Sequence, residues 1–506
     1  MHLCEASLAA LRGRVDAPSY DRALLRPAIV HIGVGGFHRA HQAVYLDALA
    51  RAGNLEWGET GAGLRSRAML AALQRQDCLY TVVERSQDGE CARVIGAMRD
   101  YLYAPGDPRA LIDRLVDPAT KMVTLTITGD GYNLDRFGEF RESSREVRDD
   151  ARQLARPHTW FGYLAAALAR RRASGLGGFT VLSCDNLPDS GTAARTALVS
   201  FAGLVDTLLA RWIQRNVSFP NGMVDRITPS PTAGTSTLVA SRFGVVDRSP
   251  VVTEPFSQWV VEDAFVSGRP PLEDVGVQFA ADVAPYKLMK CRLLNGGHSA
   301  MAYLGYLAGH RTTAEMMEDP LMRAYVTRLM RQEIAPLLPA IPGVDLEEYQ
   351  RTLLRRFANA HISDPLARLC GRGSTKVPAY LLPSLLEARS RAHRAPLLTL
   401  AVAAWFRYLR GTDMLGGPID VQDVHRDQLG HLARAGRSDP APLLHERSVM
   451  GSLGDDEVVR QALAQALRDL DRLGPARAVQ VRLAAAEHRG ALGSQREDAR
   501  EGSLIS

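Results

Sequence analysis

Ala28-Ile-Val-His-Ile-Gly-Val-Gly-Gly-Phe-His-Arg-Ala40 decides how the first half of this chain folds. The run Ala28 to Ile32 reads as a short buried strand, the glycines from Gly33 read as a tight turn, and a helical pattern continues to about Arg51. A strand, a glycine turn and a helix form the phosphate-cradling start of a dinucleotide fold. Glycine permits the tight turn and the close backbone approach, and a helix N-terminus favours a pyrophosphate. The motif is incomplete: Gly33 and Gly35 match the first two glycines of G-x-G-x-x-G, and His38 stands in the third place. A plain strand, turn and helix would look the same at this point.

Further along, short apolar runs alternate with helical patterns. Leu79 to Val83, Met122 to Thr128 and Phe179 to Cys184 are strand-like, and Asp107 to Val116 and Trp160 to Ala173 have the spacing of helices. The alternation predicts a parallel α/β sheet. Ligands of such sheets gather beyond the carboxyl ends of the strands, which places Thr128 to Tyr132 and Asp185-Asn186 at the rim where a nicotinamide would lie. One long helix is predicted over Thr192 to Ile213, a turn-rich segment with Asp225-Arg226 over Val217 to Pro229, and short strands within Pro250 to Gly276. After Asp282 helical patterns dominate: Tyr286 to Gly309, Leu321 to Leu338, Leu346 to Phe357, Ala379 to His393, Pro396 to Tyr408 and Asp455 to Leu473, with a polar, fraying end over Gly490 to Ser506. The expected fold class is α/β, with an N-terminal Rossmann-like cofactor-binding domain over 1–283 and a mostly α-helical substrate and catalytic domain over 284–506.

At 506 residues the chain is long enough for two cores, and 46% apolar with 23% charged residues is the composition of a globular protein. A net charge of +5 is mild, and no Lys/Arg run with interleaved aromatics supports a nucleic-acid partner. Cys4, Cys78, Cys91, Cys184, Cys291 and Cys370 are scattered without zinc spacing, as reduced thiols of a cytoplasmic protein would be. Met1 to Leu11 lacks the basic and apolar regions of a secretory signal, and no apolar run is long enough for a membrane span. No coiled-coil heptads appear, and the pattern does not fix a subunit number.

A second stretch, Pro285-Tyr-Lys-Leu-Met-Lys-Cys-Arg-Leu-Leu-Asn-Gly-Gly-His-Ser-Ala-Met-Ala-Tyr303, carries one polar face in an apolar segment. At about 100° per residue in an α-helix, Lys290, Asn295 and His298 fall within an arc of about 140°, with Lys287 between them. An ammonium, a carboxamide and an imidazole converging among apolar neighbours suit a mobile proton and a developing oxyanion. A half-exposed helix would turn the same stripe to water.

Together these stretches resemble the mannitol dehydrogenase family, zinc-independent long-chain polyol dehydrogenases that include fructuronate reductases and arabinitol dehydrogenases. Gly33-Val-Gly-Gly-Phe-His-Arg-Ala-His41 is similar to the family's cofactor loop, Ser183-Cys-Asp-Asn186 to its first substrate motif and Val224-Asp-Arg-Ile-Thr-Pro229 to its signature. Lys290-x4-Asn295-x2-His298 is similar to its catalytic helix, and Arg368 with Lys376 in Gly373-Ser-Thr-Lys-Val-Pro378 to its later substrate contacts. The resemblance runs from about Ile29 to about Gly417. It implies an oxidoreductase that moves a hydride between NAD and a linear polyol or ketose, D-mannitol and D-fructose first, with D-mannonate/D-fructuronate and arabinitol as alternatives. In that scheme Lys290 is the general base of oxidation and the general acid of reduction. Asn186 and Asn295 donate to the oxygen as it becomes alkoxide-like, and His298 holds the reacting hydroxyl or carbonyl. Asp225, Arg368 and Lys376 bind the remaining hydroxyls or a terminal carboxylate. Gly33, Val34, Gly35, Gly36, Phe37, His38, Arg39 and Ala40 form the cofactor turn, and no metal is required.

Three positions depart from the family pattern. Lys287 stands where glutamate is common, and Gly129 stands where a second glutamate is common, with Asp130 beside it. After the second strand, where an acidic residue usually meets the adenosine ribose, the chain offers Arg65, Ser66 and Arg67. Arginines there suit a 2'-phosphate, so NADP is an alternative cofactor; solvent-facing arginines are the plainer reading. The departures also admit a catalytically impaired member that senses nucleotide or sugar.

Overall fold

The computed structural model describes residues 1–502 apart from Arg136 and Ser363, with the backbone alone described at Ala233 and over 486–502. The chain divides into two compact units, Met1–Val283 and Ala284–Ser506.

In the first unit β1 (Pro27–Ile32) pairs in parallel with β2 (Gly58–Gly63). Next come β3 (Tyr80–Ser86) and β4 (Gly89–Ile95), an antiparallel hairpin, and then β5 (Met98–Tyr103), β6 (Met122–Leu125) and β7 (Thr180–Ser183). The parallel sheet has the order β5-β2-β1-β6-β7. Strand order therefore reverses between β1 and β6, and this topological switch point is where dinucleotide folds receive their ligand. Both faces are covered. Val30 and Ile32 pack with Val123, Leu125, Leu164 and Leu168 on one side, and Ile29 packs with Met122, Leu182 and Trp259 on the other. Each such fully buried aliphatic side chain contributes about 1.5–3 kcal/mol, which explains why β1 tolerates so few polar residues.

The expected Leu79–Val83 strand exists as part of β3 but lies outside the parallel sheet. The tight turn at Gln87-Asp88 closes it on β4, and β9 (Val251–Thr253) completes that three-stranded sheet. A third sheet orders β8 (Gly222–Asp225), β10 (Gln258–Glu262) and β11 (Gln278–Ala280) as β11-β10-β8. Thr192–Ile213 is not one helix: Ser190–Val205 and Thr207–Asn216 are separated by Asp206, whose extended backbone and side chain cap the second helix through Leu208 N at 2.8 Å. Trp160–Ala173 forms as expected. Thr159 caps its start, and buried Arg171 near its end donates to the carbonyls of Leu115, Asp117 and Gly177.

The second unit is helical. Leu346–Phe357 and Pro396–Tyr408 have the expected limits, and every residue of the latter from Leu397 onward is buried, as an all-round apolar helix should be. Two other expectations break into pieces. Leu321–Leu338 becomes an α-helix Pro320–Arg328, a π turn Leu329–Ile334 and a short 3₁₀ turn. Ala379–His393 becomes Gly373–Tyr380 and Leu382–Ser390, the second opening on Pro383, which lacks the N–H to continue the first. The last helix runs from Glu457 to Gly502 with a non-helical Gly474 before Pro475. The remainder of the segment expected to fray, 503–506, lies outside the described residues. Among the described residues no helix is long and apolar enough to cross a membrane.

Candidate active site

At the end of β1, Gly33 has φ +103°, and a Cβ there would stand 2.2 Å from the Thr126 carbonyl oxygen. Only glycine fits. Gly35 caps the helix Gly36–Ala40, no side chain caps that first turn, and a Cβ at Gly35 or Gly36 would meet nothing nearer than 3.7 Å. The turn thus presents open backbone around Val34 and Gly36, a cradle that fits a pyrophosphate. Phe37 stacks on His41 with ring centroids 5.0 Å apart.

His38, Arg39 and Ala40 are buried residues of this turn. His38 Nε2 meets Glu59 Oε2 at 2.9 Å and its ring stacks on His31. Arg39 donates to the Ser249 carbonyl and, at 2.9 Å, to its hydroxyl. The Ala40 carbonyl accepts from buried Arg226 at 2.6 Å. Arg226, inside the signature but assigned no role from sequence, also pairs with Glu84, so it anchors the cofactor turn to two other segments. Arg65, two residues past β2, is exposed, and among the described residues neither it nor Arg67 has an ion-pair partner.

His31, His38 and Glu59 bring three potential metal ligands within 4.8 Å of one another. Thr126 donates its hydroxyl to the Gly33 carbonyl at 2.7 Å, so it must accept from His31 Nε2 at 2.9 Å, and His31 Nδ1 meets Thr124 Oγ1 at 2.7 Å. Both His31 nitrogens are already engaged. Burial pushes His38 down to about 3 and Glu59 up to about 7, the behaviour of a hydrogen-bonded cluster that favours its neutral forms.

At the rim, Asn186 is exposed two residues after Cys184, and Asp225 is buried at the end of β8. Asp185 accepts from the Ile127 and Thr128 amides at 3.0 and 2.8 Å and from the Tyr132 hydroxyl at 2.7 Å. Thr128 has φ 67° and ψ 159°, a region populated almost only by glycine, at a cost of about 1–3 kcal/mol.

In the second unit the stretch expected as one α-helix is three: Ala284–Met289, a π turn Lys290–Asn295, and Gly296–Leu307. The arc drawn at 100° per residue therefore does not hold. In an α-helix Lys290 and Asn295 would lie about 140° apart, whereas i→i+5 hydrogen bonding brings residues five apart onto the same face. The glycines after the turn permit close packing: a Cβ at Gly296 would stand 3.1 Å from the Tyr380 carbonyl oxygen, and one at Gly297 3.4 Å from the Phe357 ring. Lys290 is 7% exposed. Asn295 Nδ2 donates to Cys291 Sγ at 4.0 Å, and His298 packs on Phe357 with centroids 4.6 Å apart. Burial raises the Cys291 thiol, and Lys290, Asn295 and Lys287 oppose it, so both ammonium groups act on the same turn.

The helix Gly373–Tyr380, carrying Lys376, packs against the π turn, and Leu366–Cys370, carrying Arg368, packs against Gly296–Leu307. Arg368 is engaged by Asp364 through two bonds, one of 2.7 Å, and Lys376 donates to the Leu369 carbonyl at 3.0 Å. Burial first, and then Arg368, lowers the Lys376 ammonium. The fold thus gathers Lys290, Asn295, His298 and the Lys376 helix in one unit, while Asn186 and Asp225 belong to the other.

The description "Mannitol dehydrogenase Rossmann domain" matches residues 27–274, and "Mannitol dehydrogenase C-terminal domain" matches residues 282–471. A mannitol 2-dehydrogenase of Aspergillus fumigatus is 45% identical over 472 residues, 91% of this chain and 94% of that protein. Among solved structures, mannitol 2-dehydrogenase of Pseudomonas fluorescens in a ternary complex with NAD and D-mannitol is similar with a TM-score of 0.84 and 41% identity, covering 96% of this chain and 99% of that one. A substrate-free D-sorbitol dehydrogenase is similar with a TM-score of 0.90 and 35% identity, covering 95% and 100%. The chain belongs to the mannitol dehydrogenase family. It is an oxidoreductase of the class that acts on CH–OH donors.

Proposed function

We propose that this chain interconverts D-mannitol and D-fructose with NAD. The observation that carries the reading is the π turn that aligns Lys290, buried, with Asn295, within a chain 41% identical to an enzyme held with NAD and D-mannitol. Lys290 takes the hydroxyl proton in oxidation and returns it in reduction. Asn295 and Asn186 donate amide hydrogens to the oxygen as it gains charge, about 3 kcal/mol for one such donor. His298, steadied on Phe357, holds the reacting hydroxyl or carbonyl. Asp225, Arg368 and Lys376 take the remaining hydroxyls. Backbone from Gly33 to Phe37 holds the pyrophosphate, with Arg65 at the adenosine end, where it would equally suit the 2'-phosphate of NADP. The bound nicotinamide supplies the hydride acceptor or donor.

D-sorbitol is the second reading, favoured by the TM-score of 0.90 to a D-sorbitol dehydrogenase. It differs from mannitol only in configuration at C2, and oxidation there gives the same ketose. The mannonate reading loses ground because Arg368 already serves Asp364. Free thiols at all six cysteines support a reducing compartment, the cytoplasm, and the mild net charge supports a small-molecule partner rather than nucleic acid. The test is a panel of mannitol, sorbitol, arabinitol and mannonate, with fructose and fructuronate in reverse, each with both cofactors. Mannitol and NAD should lead. Lys290→Ala should lower kcat by about 10²- to 10⁴-fold; a variant that turns over like the parent would refute the assignment.

A further inference from the structure

Three parallel strands end side by side at the switch point, and two side chains tie their ends together. Thr126, just past β6, bonds the Gly33 carbonyl and His31, both from the β1 segment. Asp185, two residues past β7, reaches back to the β6 segment and takes the amides of Ile127 and Thr128. The Tyr132 hydroxyl closes the same loop on Asp185 from its far end, and the Trp160 indole N–H holds the Gly131 carbonyl at 2.9 Å. Three donors thus converge on one carboxylate, a group that only accepts. An isosteric amide would turn an N–H toward one of those donors. What the carboxylate holds is unusual, because Thr128 is β-branched and sits at φ 67°, ψ 159°. Such a conformation persists only where its surroundings fix it. The next residue along from Asp185 is Asn186.

We propose that Asp185 is a positioning residue for hydride transfer: its carboxylate holds Ile127 to Tyr132 in their strained course across the carboxyl end of the sheet and fixes the backbone that presents Asn186. The role rests on the reading of Asn186 as a donor to the reacting oxygen. Strain at Thr128 is then part of the site, and the bonds to Asp185 are what keep that backbone from relaxing.

The test compares the full-length parent, Asp185→Asn and the double variant Asp185→Asn/Thr128→Gly. Three quantities are measured: kcat and KM with mannitol and NAD, amide hydrogen exchange over 125–133, and the thermal midpoint. Asp185→Asn should lower kcat by about 10- to 100-fold, as a small misplacement of a reacting group does, with KM for both ligands within about 3-fold. Exchange at Ile127 and Thr128 should accelerate. Adding Thr128→Gly should recover kcat by about 5-fold, since glycine takes the φ 67° backbone without support. Should Asp185→Asn fail to fold, Tyr132→Phe removes one of the three bonds and must still lower kcat and speed exchange at Ile127. A parent that oxidises no polyol defeats the proposed function, and the positioning role falls with it. A parent that turns over while the folded Asp185 or Tyr132 variant keeps its kcat leaves the function standing and overturns the role of Asp185.

Discussion

His38 and Glu59 meet at 2.9 Å with both side chains fully buried, and the His38 ring lies on His31 at 3.5 Å with only 11° between the planes. A cluster of this kind beneath the cofactor turn makes stability depend on pH in a way the surface charges do not.

Glu59 is raised by burial from 4.5 to about 7, so the folded chain keeps a proton that the unfolded chain releases. Its contribution to stability is full below about pH 4.5 and is lost as pH rises through about 7. His38 runs the other way, lowered from 6.5 to about 3 by burial, with stability present above 6.5 and lost as pH falls toward 3. Glu59→Gln removes only the first dependence. The thermal midpoint of the variant, relative to the parent, should therefore climb between about pH 5 and 8, by at least about 2 °C for a loss of about 1 kcal/mol. A constant difference across that range would count against the buried, proton-holding carboxyl.

Gly33→Ala should destabilise the first unit by at least about 2 kcal/mol, since the added methyl meets the Thr126 carbonyl at 2.2 Å on a backbone of φ +103°. Chemical denaturation and a cofactor titration read it. An alanine variant with the parent's midpoint and affinity would show that this turn has another conformation.

Lys287, in the helix just before the π turn, adds a second ammonium that acts with Lys290 on the Cys291 thiol. Lys287→Glu should move the pH-rate profile of polyol oxidation to higher pH, because a carboxylate favours the protonated form of a neighbouring base where an ammonium disfavours it. An unchanged profile would sink the coupling.

Arg65, two residues past β2, is exposed without an ion-pair partner among the described residues. Arg65→Ala should lower kcat/KM with NADP by about 10-fold, the loss of one charge-assisted contact, and leave kcat/KM with NAD within about 2-fold. Equal losses with both cofactors would assign the residue to packing instead.

Much of the helical framework was legible. Leu346–Phe357 and Pro396–Tyr408 carry period, cap and proline signals in the chain itself, and their limits in the fold coincide with those signals. β2 was not legible as a strand, because Gly58-Glu-Thr-Gly-Ala-Gly63 has no apolar run. Its small residues make sense only beside their neighbours: a Cβ at Gly61 would meet Met98 Sδ at 2.5 Å, and one at Gly63 the Tyr101 hydroxyl at 2.0 Å. The Leu79–Val83 run, now in β3, reads as a strand of the parallel sheet because a strand's partner is not encoded in its own period, and its true partner β4 carries no comparable apolar run.

Lys290, Asn295, His298 and the glycine turn are legible in residue type and spacing, whereas the roles of Asn186, Asp225, Arg368 and Lys376 follow only from the resemblance to a family. The sequence by itself determined those types, the strand and turn that open the dinucleotide fold, and the helical character of the second half. Only the tertiary structure decided that Lys290 and Asn295 align across a π turn, that His38 faces inward to Glu59, and that Asp185 holds Thr128 in a strained course. Each of these involves residues distant in the chain: Phe357 and Tyr380 against the glycines that follow the π turn, Glu59 for His38, and the Ile127–Tyr132 loop for Asp185. No local period records such neighbours, since the free energy that selects these conformations comes from contacts formed only when the chain has folded.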